Sequence, residues 1–173
     1  MGKLKRIAII GAPGSGKTTL AIELKDIYEL PVVFLDSFYQ LPNWVMRDPK
    51  ERDKMILEET KKEEWIIDGT FIDTLEERVK VADLIIFLDF STIVQLKGIF
   101  KRFFSNIGKE KIDMPGCKER LNPSFIAYVA TYNKKRRKYL VEILEKYNKS
   151  KILQFKTQKE LNLWLDKERA GLE

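Results

Sequence analysis

Eight consecutive residues, Gly11-Ala12-Pro13-Gly14-Ser15-Gly16-Lys17-Thr18, satisfy the pattern G-x-x-x-x-G-K-[ST]. Each fixed position suits a task in holding phosphate. The glycines let backbone N–H groups curl around the oxygens, Lys17 reaches the β- and γ-phosphoryl groups, and the Thr18 hydroxyl can ligate Mg²⁺. A helix that begins at Lys17 aims its positive dipole end at the same anion and brings Thr19 to the loop as well. The flanks fit: Ile7-Ala8-Ile9-Ile10 is an apolar, strand-like run, and Leu20, Leu24, Ile27 and Tyr28 recur at helical spacing. A glycine-rich structural turn is the alternative, and this context weighs against it.

Three aspartates follow apolar runs: Asp36, Asp68 and Asp89. In open α/β sheets ligands sit beyond the C-terminal ends of the strands, so these are the carboxylates to weigh. Any one of them alone could be a helix N-cap or an Asx-turn. Asp68 and Asp89 both suit the carboxylate that holds Mg²⁺ through water while Thr18 coordinates it, and spacing does not choose between them. Asp36 is followed by Ser37-Phe38-Tyr39-Gln40-Leu41-Pro42-Asn43-Trp44. That stretch could line a substrate pocket with Tyr39 and Trp44, and Asp36 could take the proton of a substrate hydroxyl as it attacks a γ-phosphate.

Phosphoryl transfer also needs cations around the transferring group, and arginine's planar fork matches phosphate oxygens. Lys101-Arg102 closes a helical stretch carrying Leu96, Phe100, Phe103 and Phe104, while Lys134-Lys135-Arg136-Arg137-Lys138 lies within a later one. Arg137 falls three residues before Leu140 and seven before Leu144, near the buried side, although which of Arg136 and Arg137 faces the site stays open. The same five residues also read as a solvated helix face or as an electrostatic patch for nucleic acid. Arg78 sits with Leu75 and Val79 on a predicted helix, as a candidate contact to a substrate phosphate or a partner for Glu76.

The elements that must position these residues are legible as alternating strands and helices. Besides the first run, Val32 to Leu35, Trp65 to Ile67, Leu84 to Leu88 and Lys151 to Phe155 read as buried parallel strands. Asp48-Pro49 and Asn122-Pro123 open helices, the second a long one, and Thr157-Gln158-Lys159-Glu160 is a capping box before Leu161, Trp164 and Leu165. The expectation is an α/β doubly wound fold, a five-stranded parallel sheet with helices on both faces. Its 173 residues, 44% of them apolar, suit a single domain spanning 1–173. Residues 106–120 break the alternation, being polar, aperiodic and supplied with two glycines and a proline, and we read them as a lid within that domain.

Composition narrows the chemistry. With no histidine and only Cys117, Ser-His-Asp and Cys-His mechanisms are excluded, and so is an intramolecular disulfide. The net charge of +6 suits anionic partners without naming them. No signal-peptide core, acylation pattern or membrane-length apolar run is visible, so a cytoplasmic protein is expected.

Gly11 to Thr18, Phe34-Leu35-Asp36-Ser37-Phe38-Tyr39, Trp65 to Phe71 with Thr74, Leu75 and Arg78, and Ala82 to Asp89 together resemble the adenylate-kinase-like P-loop NTPases, in particular the DNA topology modulation (FlaR-like) proteins. The resemblance covers nearly the whole chain. It implies the strand order 2-3-1-4-5, with Asp68 beside the P-loop strand as the metal carboxylate and Asp89 in reserve. It also implies an ATP lid between Arg102 and the long helix, with Arg102 and Arg137 facing the phosphates. Adenylate kinase carries Asp-Gly-Phe-Pro-Arg where this chain reads Asp68-Gly69-Thr70-Phe71-Ile72, with no arginine until Arg78. That departure points away from AMP, while Asp36 followed by Phe38-Tyr39 resembles kinases that phosphorylate a hydroxyl of a nucleoside or other small molecule. The expected function is thus an ATP- and Mg²⁺-dependent kinase acting on a small molecule, perhaps a nucleoside or nucleotide. The other reading is an NTP-dependent, DNA-binding regulatory protein with slow ATPase activity, although no duplex-reading motif is visible.

Overall fold

The computed structural model describes residues 4–147 and 151–171. Met1 to Lys3, read above as neither leader nor acylation signal, lie outside the described residues, as do the ends of the expected 1–173 domain. Five parallel strands form the central sheet: β1 (Arg6–Gly11), β2 (Val32–Phe34), β5 (Trp65–Asp68), β6 (Leu84–Leu88) and β9 (Ile152–Phe155). Their order is β2-β5-β1-β6-β9, which is the expected 2-3-1-4-5 arrangement. β1 is central, and its register sets Ile9 beside both Asp68 and Ile86.

Alternation along these runs sorts them into two cores. Ala8, Ile10, Trp65, Ile67, Ile85 and Phe87 turn to one face, where they pack with Ile56, Leu75, Val79, Tyr132, Leu140 and Leu144. Those partners belong to α3 (Pro49–Thr60), α4 (Leu75–Val81), α6 (Pro123–Lys135) and α7 (Arg137–Glu145). Ile7, Ile9, Ile66, Leu84, Ile86 and Leu88 turn to the other face, against Leu20 and Leu24 of α1 (Lys17–Tyr28) and Leu161 and Leu165 of α8 (Gln158–Ala170). Burial on both faces is what makes the strands continuously apolar.

Helix starts follow their caps. The Asp48 carboxylate accepts the backbone N–H of Lys50 and Glu51 at the head of α3, the Asn122 side chain accepts that of Ser124, and Thr157 and Glu160 complete the capping box of α8. The long helix expected after Asn122 is interrupted at Arg136, a turn residue (φ −114°, ψ −31°) that separates α6 from α7.

Two small additions sit over the C-terminal edge of the sheet. After α2 (Asp36–Tyr39) comes a ribbon of β3 (Gln40–Leu41) and β4 (Val45–Met46), joined through a 3-10 turn at Pro42–Trp44. After α5 (Thr92–Ser105) comes a second hairpin, β7 (Glu110–Lys111) and β8 (Met114–Lys118). The expected lid is therefore an ordered antiparallel hairpin. Among the described residues, no helix is long and apolar enough to cross a membrane.

Candidate active site

The loop from Gly11 to Gly16 links β1 to α1 with glycines at φ 151°, 78° and 90°, so the left-handed turns that direct successive N–H groups inward fall on glycine. Lys17 bends back and donates from Nζ to the Ala12 carbonyl at 2.9 Å. Thr70 ties the loop to the segment after β5, accepting the Gly11 N–H at 3.0 Å and donating to the Gly11 carbonyl at 2.7 Å. The Ser15 hydroxyl is buried without a hydrogen-bond partner among the described residues.

At the metal position, Thr18 Oγ1 donates to Asp68 Oδ2 at 2.7 Å. Burial pushes the Asp68 carboxyl up to about 6; Lys17 and the Thr18 hydroxyl oppose this, and the charges of Asp36 and Asp113 add to it. Asp36 opens α2, and its pKa is also raised, mainly by burial and then by Asp113, against the pull of Lys17, Lys111 and Arg102. Lys17, Asp36, Asp68, Lys111, Asp113 and Arg102 thus share one charged cleft.

The donor set fits the expected ligands. Thr18 and Asp68 supply hard oxygens of the kind Mg²⁺ takes beside water and phosphate. Lys17, the glycine cradle and the unsatisfied Ser15 hydroxyl fit phosphate oxygens.

Asp89, the reserve metal carboxylate, is engaged elsewhere. Arg137 meets it with two parallel bonds, Nε to Oδ1 at 2.6 Å and Nη2 to Oδ2 at 2.7 Å, and Gln154 Nε2 adds a third at 2.7 Å. Arg137 accordingly anchors α7 to the end of β6 and does not turn its fork toward the phosphate loop. Arg102 pairs with Glu119, Nε to Oε2 at 3.0 Å.

Arg78 also departs from expectation. Its side chain is fully buried, and its guanidinium donates to the carbonyls of Gly69 at 2.6 Å, Phe71 at 2.8 Å and Thr74 at 3.3 Å. It braces the loop after Asp68 and has no exposed surface with which to meet a substrate phosphate.

Tyr39 lies against Phe71, with ring centroids 5.7 Å apart, and Arg52 stacks over Phe71 at 5.0 Å. Trp44 carries the Arg120 guanidinium over its ring at 4.0 Å, so it clasps the second hairpin. Thr19 is exposed on the first turn of α1.

Sequence reasoning passed over Thr70, Gly98, Lys111, Asp113 and Glu119. Gly98 matters because α5 crosses the phosphate loop with backbone against backbone. A Cβ at Gly98 would lie 2.1 Å from the Gly14 carbonyl oxygen, and one at Gly14 would lie 2.2 Å from that of Gln95. Arg102 stands one turn beyond this contact, so the P-loop sets its position through α5. A glycine within a long apolar helical stretch was the available signal.

A five-stranded parallel sheet in this order, with the Gly11–Thr18 loop leaving its central strand, is the fold of the P-loop kinases. Among solved structures, the chain is similar to shikimate kinase from Acinetobacter baumannii in complex with shikimate, at 16% identity and a TM-score of 0.55, covering 95% of this chain and 94% of that one. It is similar to a gluconokinase from Sinorhizobium meliloti 1021 at 15% identity and 0.55, covering 98% and 92%. Deoxyadenosine kinase from M. mycoides with bound dCTP gives 14% and 0.51, covering 95% and 99%. No protein-family model and no curated protein matches the chain. At these identities the likeness establishes the fold, and the FlaR-like family in particular is not singled out.

Proposed function

We propose that this chain is an ATP- and Mg²⁺-dependent phosphotransferase whose acceptor is the hydroxyl of a small molecule. The observation that carries the reading is the Thr18–Asp68 contact at 2.7 Å beneath a complete phosphate loop, with the raised Asp36 carboxyl in the same cleft. Lys17 and the loop amides hold the β- and γ-phosphates, and Thr18 and Asp68 hold the metal, which supplies neutralisation of phosphate charge. Asp36 accepts the proton as the acceptor oxygen bonds to the γ-phosphorus and the bond to the ADP oxygen breaks. A carboxylate with a raised pKa is suited to that proton transfer at neutral pH. Arg102 is proposed to turn from Glu119 to the developing charge when nucleotide is bound. Among the described residues, Arg78 is buried and Arg137 is committed to Asp89, so neither offers a clamp to an acceptor phosphate, which favours a nucleoside or another unphosphorylated compound over a nucleotide.

The test is ATP consumption with Mg²⁺, comparing wild type with Asp36→Asn across nucleosides, nucleoside monophosphates and small hydroxyl compounds. Acceptor-dependent turnover that falls at least a hundredfold in the variant is the expected outcome. Slow, acceptor-independent hydrolysis untouched by the substitution would favour the DNA-binding reading. The exposed Lys134, Lys135, Arg136 and Lys138 keep that second reading in view, and it requires a salt-sensitive shift of duplex DNA.

A further inference from the structure

The hairpin over the cleft is inverted relative to ordinary amphipathic structure. Its inward positions are Lys111, Asp113, Cys117 and Glu119, all buried, while Ile112 between the first two is 70% exposed. Lys111 and Asp113 form an ion pair at 3.4 Å with both side chains almost wholly covered. A buried pair of this kind returns little stability for its desolvation. Nor is it needed for docking, which has its own contacts. Gly116, at φ 76°, lies where a Cβ would be 2.8 Å from Pro42. The Cys117 thiol donates to the Leu41 carbonyl at 3.4 Å, Met114 is buried, and Arg120 covers Trp44. These contacts fix the hairpin to the ribbon that directly follows Asp36, so its inner face closes the acceptor side of the cleft.

The other charges there are already committed. Arg47 donates to the Phe38 carbonyl, Arg52 pairs with Asp53 and Asp73, Arg78 serves backbone carbonyls, and Arg102, paired with Glu119 in this structure, is given in the phosphotransferase reading to the developing phosphate charge. In the phosphotransferase reading, Lys17 and Asp68 belong to nucleotide and metal. What is left toward an acceptor is then Asp36 and the Lys111–Asp113 pair, with Glu119 beside them once Arg102 has turned away, a set that is negative overall.

We propose that the inner face of this hairpin is the acceptor-selecting wall, with Asp113 and Lys111 gripping a compact neutral or cationic hydroxyl compound and rejecting acceptors that carry phosphate or carboxylate. Asp113 accepts a hydrogen bond from an acceptor hydroxyl or ammonium, and Lys111 donates to an acceptor oxygen. An anionic acceptor would meet two carboxylates and the γ-phosphate together. The proximity that this requires is also visible in the charge of Asp113 acting on both Asp36 and Asp68. The inference rests on the phosphotransferase reading and adds the class of its acceptor.

The experiment separates the small-molecule pool of a cell lysate on an anion exchanger and offers each fraction to the protein with [γ-³²P]ATP and Mg²⁺. A labelled product from the unretained neutral and cationic compounds is expected. At limiting dilution of that fraction, Lys111→Met/Asp113→Asn should transfer at least tenfold more slowly, with the loss narrowing as the fraction is concentrated, the mark of weakened acceptor binding. Replacing both partners avoids stranding one buried charge; if the double variant fails to fold, Asp113→Glu, which keeps the pair and displaces its carboxylate, is read in the same way. Label that enters the retained anions, or a variant that matches wild type at limiting dilution, overturns the proposal. Transfer from neither fraction, with Mg·ATP binding seen by calorimetry, overturns the phosphotransferase reading itself and this inference with it.

Discussion

In the proposed reading Asp68 must be a carboxylate where burial disfavours one, and this ties stability to pH. Its pKa in the folded chain is about 6, against about 4 for an unperturbed aspartate. Between those values the folded state binds more protons than the unfolded state, so stability falls as pH rises through the window and the penalty is complete above pH 6. Asp68→Asn should therefore stabilise the ligand-free protein by about 1–2 kcal/mol at pH 7.5, with the gain fading toward pH 4 in urea titrations. The same substitution should abolish metal-dependent nucleotide binding by calorimetry, a trade of activity for stability. Wild-type turnover should drop as pH falls through about 6 because Asp68 takes up a proton. At this scale, the sequence anticipated where the residues of a short-range motif stand, Lys17 at the head of α1 and Thr18 against Asp68. It misplaced Arg78 and Arg137 because long side chains choose partners across the fold, and an arginine's spacing on a helix says nothing of the carbonyls of Gly69 and Phe71 or the carboxylate of Asp89.

Among the elements, α5 is the part whose geometry tolerates least change. Gly98→Ala places a methyl group 2.1 Å from the Gly14 carbonyl oxygen, a backbone atom that cannot swing aside. It should cost about 1–3 kcal/mol and weaken nucleotide binding, because the helix and the phosphate loop must separate. Asp48→Ala provides the contrast. Losing the two N-cap bonds of α3 should cost about 1 kcal/mol in urea titrations and leave turnover as it was. Helix caps and apolar strands were readable because their signals are short-range. The β7–β8 hairpin was not, since charged residues at its inward positions and isoleucine at an outward one read as an aperiodic polar loop. The break between α6 and α7 was also invisible. No glycine or proline marks it, and the bond that fixes the second helix runs from Arg137 to Asp89, 48 residues away.

For the molecule as a whole, the five parallel strands followed from apolar runs alternating with helices and their order from the resemblance, whereas the way the two hairpins meet above the sheet depends on contacts between distant segments. That meeting has a kinetic consequence. In the proposed kinase reading water must be denied the place kept for the acceptor, and here the cover is clasped by Arg120 over Trp44 and by Gly116 against Pro42. Trp44→Ala, which removes a contact of about 1 kcal/mol, should raise acceptor-independent ATP loss about fivefold in a phosphate-release assay. The same clasp must open to load substrates and again to release products. Turnover would then be governed by the rate at which the cover lifts, and it should slow with solvent viscosity even where the bond-making step does not.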